Sequence, residues 1–318
     1  MLTRLSGRGP TLVAVPTFPA TDPRGEATRR LLLVHAHPDD ETTTCGASMA
    51  HYADRGVHVA LVTCTRGEEG EVLVEDLAHL AAADQDRLGE HRETELATAM
   101  ALLGVTDYRF LGEPGEYRDS GMAGEPSNDH PAAFCRVPVD EAAARLVPTI
   151  RSLRPQVLVT YDPHGGYAHP DHVQAHRVAT RAAELAADPA HGDGRPWQVP
   201  KVYWCVWEES TFRSALRRMR EAGVDLEGMD PDGELPPFVF PDEQVTTVVD
   251  ARDRSQAKLQ AMRAYASQVA EDSPFFAFDD PDMVRAWGRE SFVLAAGKPC
   301  PDPADPDGRE SDLFAGVG

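Results

Sequence analysis

Leu31-Leu32-Leu33-Val34-His35-Ala36-His37-Pro38-Asp39-Asp40-Glu41 opens with an unbroken aliphatic run and ends in two histidines and three adjacent carboxylates. A short apolar run of this kind reads as a strand buried on both faces, as in a parallel sheet covered by helices. Working outward, Thr42 to Arg55 can form a helix closed by Gly56, and Val57 to Thr63 a second strand. Glu75 to Leu103 reads as one helix or two, stopping at Gly104. Asp107 to Leu111 is expected as a third strand and Glu141 to Leu153 as a helix. Val157 to Tyr161 is expected as a buried fourth strand, with a helix from about Asp171 to Ala187 behind it. Strands alternating with helices indicate βαβ units. The expected fold is therefore α/β, a Rossmann-like, mostly parallel sheet with flanking helices. Ligands of such sheets sit at the carboxyl ends of the strands.

Residues 30–200 are read as this Rossmann-like core. Beyond Lys201 the pattern changes to strands at Lys201–Trp207, Val245–Val249 and Ser291–Leu294, with helices at Thr211–Ala222 and Ala251–Ala270. Residues 201–298 are expected as a smaller C-terminal α+β portion completing the pocket. Residues 1–29 are expected as a loose N-terminal arm. Residues 299–318, rich in Pro and Asp, are expected as a largely irregular tail, disordered until near its end. The chain has 318 residues with 31 basic and 52 acidic side chains, a formal charge of −21. That balance argues against nucleic-acid or anionic-membrane partners, which need a positive surface. No apolar stretch approaches the roughly 18 residues of a membrane-spanning helix. The five cysteines are scattered and never form a CxxC pair, consistent with reduced thiols in a cytoplasmic protein. Prolines 10, 16 and 19 interrupt the one apolar N-terminal stretch, so no signal peptide is expected.

The chemistry concentrates at two strand ends. No GxGxxG, GxxxxGK[ST] or GxSxG occurs, which removes the usual dinucleotide, phosphate and nucleophile-elbow readings and makes an oxidoreductase a poor rival. After the first strand, His37 and Asp40 are spaced to face one point, two ligands for a cation such as zinc, while Asp39 points elsewhere and stays free to take a proton. The plain alternative is that Asp39 or Asp40 caps the following helix and His37 fills space. After the fourth strand comes Asp162-Pro163-His164-Gly165-Gly166-Tyr167-Ala168-His169-Pro170-Asp171-His172. His172, near the start of the helix that Pro170 opens, can complete a His-Asp-His set with a fourth position for water, the pattern of a catalytic site. His172 and His176 share a helix face as a rival ligand pair, although His176 reads better as a supporting residue. Tyr203, Trp204 and Trp207 read as core rather than as a sugar platform.

AHPDDE after one strand and YDPxGGYxHPDH after a later one resemble the LmbE-like (PIG-L) superfamily of metal-dependent N-deacetylases, over most of the chain. TCTRGEEGEV at 63–72, YRDSGMAG at 117–124 and SDLFAGV near the C-terminus resemble the branch that deacetylates N-acetylglucosaminyl-inositol in mycothiol biosynthesis. The resemblance implies one divalent metal, zinc or alternatively ferrous iron, on His37, Asp40 and His172, with Asp39 as general base. It implies Tyr167 and His169 beside the scissile carbonyl, and Arg92, Asp119 and Met122 in the substrate pocket. Two positions depart from the family: His164 and Cys45 each stand where Asn is common.

The implied reaction is hydrolysis of an acetamide on a small amino-sugar inositol, with the metal activating water and polarising the carbonyl. Asp39 takes the water proton. Protonated His169 and Tyr167 stabilise the oxyanion, and Asp171 orients His169. Arg92 and Asp119 are expected to grip sugar and inositol hydroxyls far from the metal water. The leaving amine could take its proton from Asp39 or from His169. A mycothiol S-conjugate amidase is the nearest alternative, and a non-catalytic metal-dependent sugar binder the alternative from another class. The sequence does not fix the oligomeric state.

Overall fold

The computed structural model describes residues 28–221, 223–224, 229–271, 273, 276 and 281–317. Residues 1–27 of the expected arm lie outside the described residues. The chain runs through β1 (Arg30–His35), α1 (Asp40–Asp54), β2 (His58–Thr63), α2 (Leu88–Leu103), β3 (Asp107–Phe110), α3 (Val139–Leu153) and β4 (Val157–Thr160). A single turn α4 (Gly165–Ala168), α5 (Pro170–Ala187), β5 (Lys201–Glu208), α6 (Glu209–Glu221) and β6 (Val239–Phe240) follow. The chain closes with β7 (Thr247–Asp250), α7 (Ser255–Arg263), α8 (Pro281–Ala286) and β8 (Arg289–Ala296).

One eight-stranded sheet results, in the order β3-β2-β1-β4-β5-β8-β7, with β6 beside β5. β1 pairs in parallel with β2 and β4, which in turn pair in parallel with β3 and β5. β8 runs antiparallel to both β5 and β7. The expected mostly parallel α/β sheet is what forms, and the strands after residue 200 extend it. β1 and β4 are central because helices cover both faces, so Leu31–Val34 and Val157–Val159 are all buried. The order of strand addition reverses between β1 and β4, placing their carboxyl ends side by side at the site.

Two sequence expectations are corrected. The segment before α2 is not continuous helix: a 3₁₀ turn at Glu75–Leu80 is separated from α2 by a loop in which Asp86 adopts φ 53° and pairs through its carboxylate with Arg118. Among its described residues the tail has no helix or strand beyond a single bridge from Glu310 to Thr247, yet it is packed against the sheet and not free. Leu313 and Phe314 are buried, and Glu310 reaches under β5 to Lys201 Nζ at 2.6 Å, Tyr203 Oη and Thr247 Oγ1. No helix among the described residues is long and apolar enough to cross a membrane.

Candidate active site

β1 ends at His35, and the chain turns through Ala36-His37-Pro38 into α1 at Asp39. Asp39 sits there with φ 100°, a conformation that costs a non-glycine residue of the order of 1–3 kcal/mol. Local bonds hold it. Its own N–H donates to Glu41 Oε2 at 3.1 Å, and Arg92 Nη2 donates to Asp39 Oδ2 at 3.1 Å and to the Pro38 carbonyl. Arg92 also donates from Nη1 to the Gly67 carbonyl at 2.9 Å. It reaches this position because Gly67, at φ 71°, has no Cβ, which would fall on the guanidinium.

The second cluster leaves β4 through Tyr161 and Asp162. Asp162 accepts from the His164 and Gly166 N–H groups at 2.7 and 2.8 Å, folding the Gly165-Gly166 turn back on itself. Gly165, at φ 66°, lies so close to α5 that a Cβ would fall 2.5 Å from the Val173 nitrogen. His169 then caps α5, its Nδ1 accepting the Asp171 N–H at 3.2 Å, and Pro170 occupies the first turn. His172 follows on the same turn, its ring stacked on Tyr161 at 4.3 Å and 17°.

The two strand ends bring His37, Asp40 and His172 together. Asp40 Oδ2 lies 3.2 Å from His37 Nδ1 and 3.3 Å from His172 Nε2. His172 Nε2 is buried and faces only the Asp40 carboxylate, without the geometry of a hydrogen bond. His37 Nε2 lies 3.3 Å from both Asp171 and Asp119, so a proton there leaves the Nδ1 lone pair facing Asp40. A histidine fixed by a carboxylate on one nitrogen, a second carboxylate and an orphaned imidazole nitrogen form a candidate metal site. His37, His169 and His172 also offer ring nitrogens within 4.8 Å of one another, as do His37, Asp119 and Asp171. In those sets His169 Nδ1 accepts the cap hydrogen bond of α5, and Asp119 and Asp171 accept from Gly121, Glu69 and Ser120 donors.

Electrostatics separate the carboxylates. Burial would raise the Asp40 carboxyl, but the His172 and His37 rings hold it well below the ordinary carboxylate range. Burial pushes Asp39 up to about 8 against the pull of Arg92, with the Asp40 and Glu41 charges adding to the rise. Burial and the neighbouring His37 and His172 push His169 down to about 3.

Asp39, Tyr167 and His169 thus stand around the His37, Asp40 and His172 cluster, with Tyr167 half exposed at its rim and edge-on to His172 at 4.9 Å. Four expectations differ from the geometry. Burial and the neighbouring His37 and His172 rings favour the neutral form of His169 over the expected protonated one. The Asp171 carboxylate accepts from Ser120 N and Oγ and faces His37, so it orients His37; only its backbone N–H touches His169. Asp119 faces His37 Nε2 and accepts from the Gly121 and Glu69 N–H groups, and Arg92 is buried under Asp39, so neither stands far from the reacting centre. Met122 is exposed, on the loop that carries Asp119. His176 supports from behind, Nδ1 2.8 Å from the Tyr161 carbonyl oxygen, and His164 is exposed.

In front of the cluster lies an open chamber of about 520 Å³. Asp39, Asp40, Tyr167 and His172 form its polar end, and Trp207, Phe212, Leu216, Phe238 and Trp287 line much of the rest. The aromatic expectation holds in part: Tyr203 is core, but Trp207 faces this chamber. The apolar wall carries no sequence signal of its own, because α6 and β5 look like any amphipathic core-forming elements. The supporting role of Tyr161 has one sequence signal, its place in YDPxGGY.

The GlcNAc-PI de-N-acetylase profile, PIG-L, matches residues 32–183. A 1D-myo-inositol 2-acetamido-2-deoxy-alpha-D-glucopyranoside deacetylase of Nocardioides sp. is 56% identical over 300 residues, covering 91% of this chain and 99% of its own. The chain belongs to the PIG-L deacetylase family. Solved structures agree on the fold. N,N'-diacetylchitobiose deacetylase from Pyrococcus horikoshii superposes with TM-score 0.52 at 21% identity, covering 84% of this chain and 83% of its own. The 4-carboxy-2-hydroxymuconate hydratase of Pseudomonas putida superposes with TM-score 0.55 at 16% identity, covering 87% and 100%. A hydratase and a deacetylase sharing the fold make the side chains, not the sheet, the arbiter of chemistry.

Proposed function

We propose that this chain hydrolyses the acetamide of N-acetylglucosaminyl-inositol, releasing acetate and glucosaminyl-inositol, a step of mycothiol biosynthesis in the cytoplasm. The observation that carries the reading is the 56% identity to a deacetylase of that substrate across nearly the whole of both chains. His37, Asp40 and His172 would hold one divalent cation, zinc first and ferrous iron second, as their donor types suit. Bound there, the cation supplies a lowered water pKa and polarisation of the acetamide carbonyl.

The chain's own groups do the rest. Asp39, held by the Arg92 guanidinium on Oδ2, is placed to take the proton of the attacking water in its ionised form. Neutral His169, its Nδ1 occupied by the Asp171 N–H, carries its proton on Nε2 and so remains a hydrogen-bond donor. With the Tyr167 hydroxyl it stabilises the oxygen that gains charge as the carbonyl becomes tetrahedral. A histidine with a pKa near 3 is a poor source of the leaving amine's proton, so Asp39 returns the proton it took. The chamber in front admits a small molecule whose sugar ring passes Tyr167.

The test is kcat/KM of zinc-loaded protein for N-acetylglucosaminyl-inositol against a mycothiol S-conjugate. The reading expects the first to be preferred by tenfold or more. Preference for the conjugate by tenfold, about 1.4 kcal/mol of transition-state stabilisation, would overturn it in favour of the amidase.

A further inference from the structure

His35 ends β1 two residues before His37, yet it takes no part in the site just described. It is fully buried, and neither ring nitrogen has a hydrogen-bond partner. An imidazole sealed in a core with both nitrogens unanswered gives up the desolvation of two polar atoms, of the order of 1–3 kcal/mol for each. Its neighbours explain the position. Cys45 on α1 and Cys205 on β5 are both buried, both reduced, and their sulfurs lie within 4.8 Å of each other and of a His35 nitrogen. Three elements that meet only in the folded chain therefore deliver two thiols and an orphaned imidazole to one point.

We propose that His35, Cys45 and Cys205 form a second metal site, distinct from the His37, Asp40 and His172 cluster, that takes a thiophilic divalent cation of the zinc or cadmium type. The donor set decides the class. Two sulfurs and one nitrogen with no oxygen favour soft and borderline cations over magnesium, calcium or manganese. Each thiol gives up its proton to solvent as its sulfur binds, so two thiolates and a neutral imidazole exactly balance a 2+ ion. A charge-neutral complex is what a dry core tolerates. Three protein ligands in a His-Cys-Cys set leave a fourth position open, and Cys205 lines the chamber in front of the cluster, which provides an entry path.

The competing view is that both thiols simply pack as small apolar side chains. Metal-stripped full-length protein titrated with cadmium distinguishes the two. The proposal expects two equivalents per chain and an ultraviolet sulfur-to-cadmium charge-transfer band. In Cys45→Ser and in Cys205→Val one equivalent and the band disappear, while the other equivalent and the circular-dichroism spectrum stay. In His37→Ala the band stays. Two differently shaped replacements guard against one of them failing to fold. A wild-type protein that binds a single equivalent with no thiolate band, or a band that survives both cysteine variants, overturns the proposal.

Discussion

Asp40, at the carboxyl end of central β1, and Glu310, beneath β5 and beside β7, are carboxylates largely withdrawn from solvent, and they are treated in opposite ways. Glu310 is saturated: Lys201 Nζ at 2.6 Å, Tyr203 Oη at 2.5 Å, Thr247 Oγ1 at 2.9 Å and the Cys300 N–H at 2.6 Å all donate to it. Around Asp40 the chain leaves accounts open. His172 Nε2 makes no hydrogen bond and meets only the Asp40 charge at 3.3 Å, Asp39 is held at φ 100°, and five carboxylates and three imidazoles crowd one end of the sheet. A buried ion pair with every lone pair answered ties elements together. A buried cluster with a nitrogen unanswered is poised for something that comes from outside. The difference teaches that burial of charge alone does not mark a site; incomplete satisfaction does.

The largest effect that could break this contrast is on rate. Asp39→Ala should leave the fold and zinc content intact and lower kcat by roughly 10²–10⁴, the usual size of a general-base contribution. Near-normal turnover in steady-state kinetics would remove Asp39 from the mechanism and leave it a helix-start residue. Next in size is the structural clamp. Glu310→Gln strands the Lys201 ammonium in the core and should cost about 3–5 kcal/mol in chemical denaturation while leaving KM unchanged. A loss under 1 kcal/mol would show that the tail is not held as described.

The smallest effect sharpens the contrast through pH. Asp39 has its folded pKa raised to about 8, so in metal-free protein its contribution is fully favourable only below the unfolded value near 4 and is lost as pH rises towards 8. Asp39→Asn should therefore be neutral at pH 4 and stabilising by roughly 1–3 kcal/mol at pH 8. For Glu310, burial would raise the carboxyl but Lys201 and Tyr203 hold it below its ordinary value. Its contribution is present at neutral pH and lost as pH falls through the folded pKa, so the penalty of Glu310→Gln should shrink in acid. Denaturation midpoints of both variants at pH 4, 6 and 8 check the opposite signs; parallel trends would contradict the account.

What could be read from the chain alone follows the same division. β1, β4 and the helices after them were legible because aliphatic runs and capping residues act locally. The convergence of His37, Asp40 and His172 was legible because both motifs fall at the ends of neighbouring parallel strands. Contacts that cross the fold were not. Nothing near Asp171 in sequence says that its carboxylate turns to His37 while its N–H serves His169. Nothing near Arg92 in sequence places it beneath Asp39, because the space for its guanidinium is left by Gly67, which has no Cβ. The Glu310 clamp joins residues more than 100 apart, and a Pro- and Asp-rich tail carries no periodicity that would announce it.

Zinc binding measured by calorimetry in a Cys45→Ser background, with only the Asp40 cluster in play, tests the central claim most directly. The account predicts one tight equivalent that survives His176→Ala and is weakened by orders of magnitude in His172→Ala. Full occupancy in His172→Ala, with loss in His176→Ala, would contradict it.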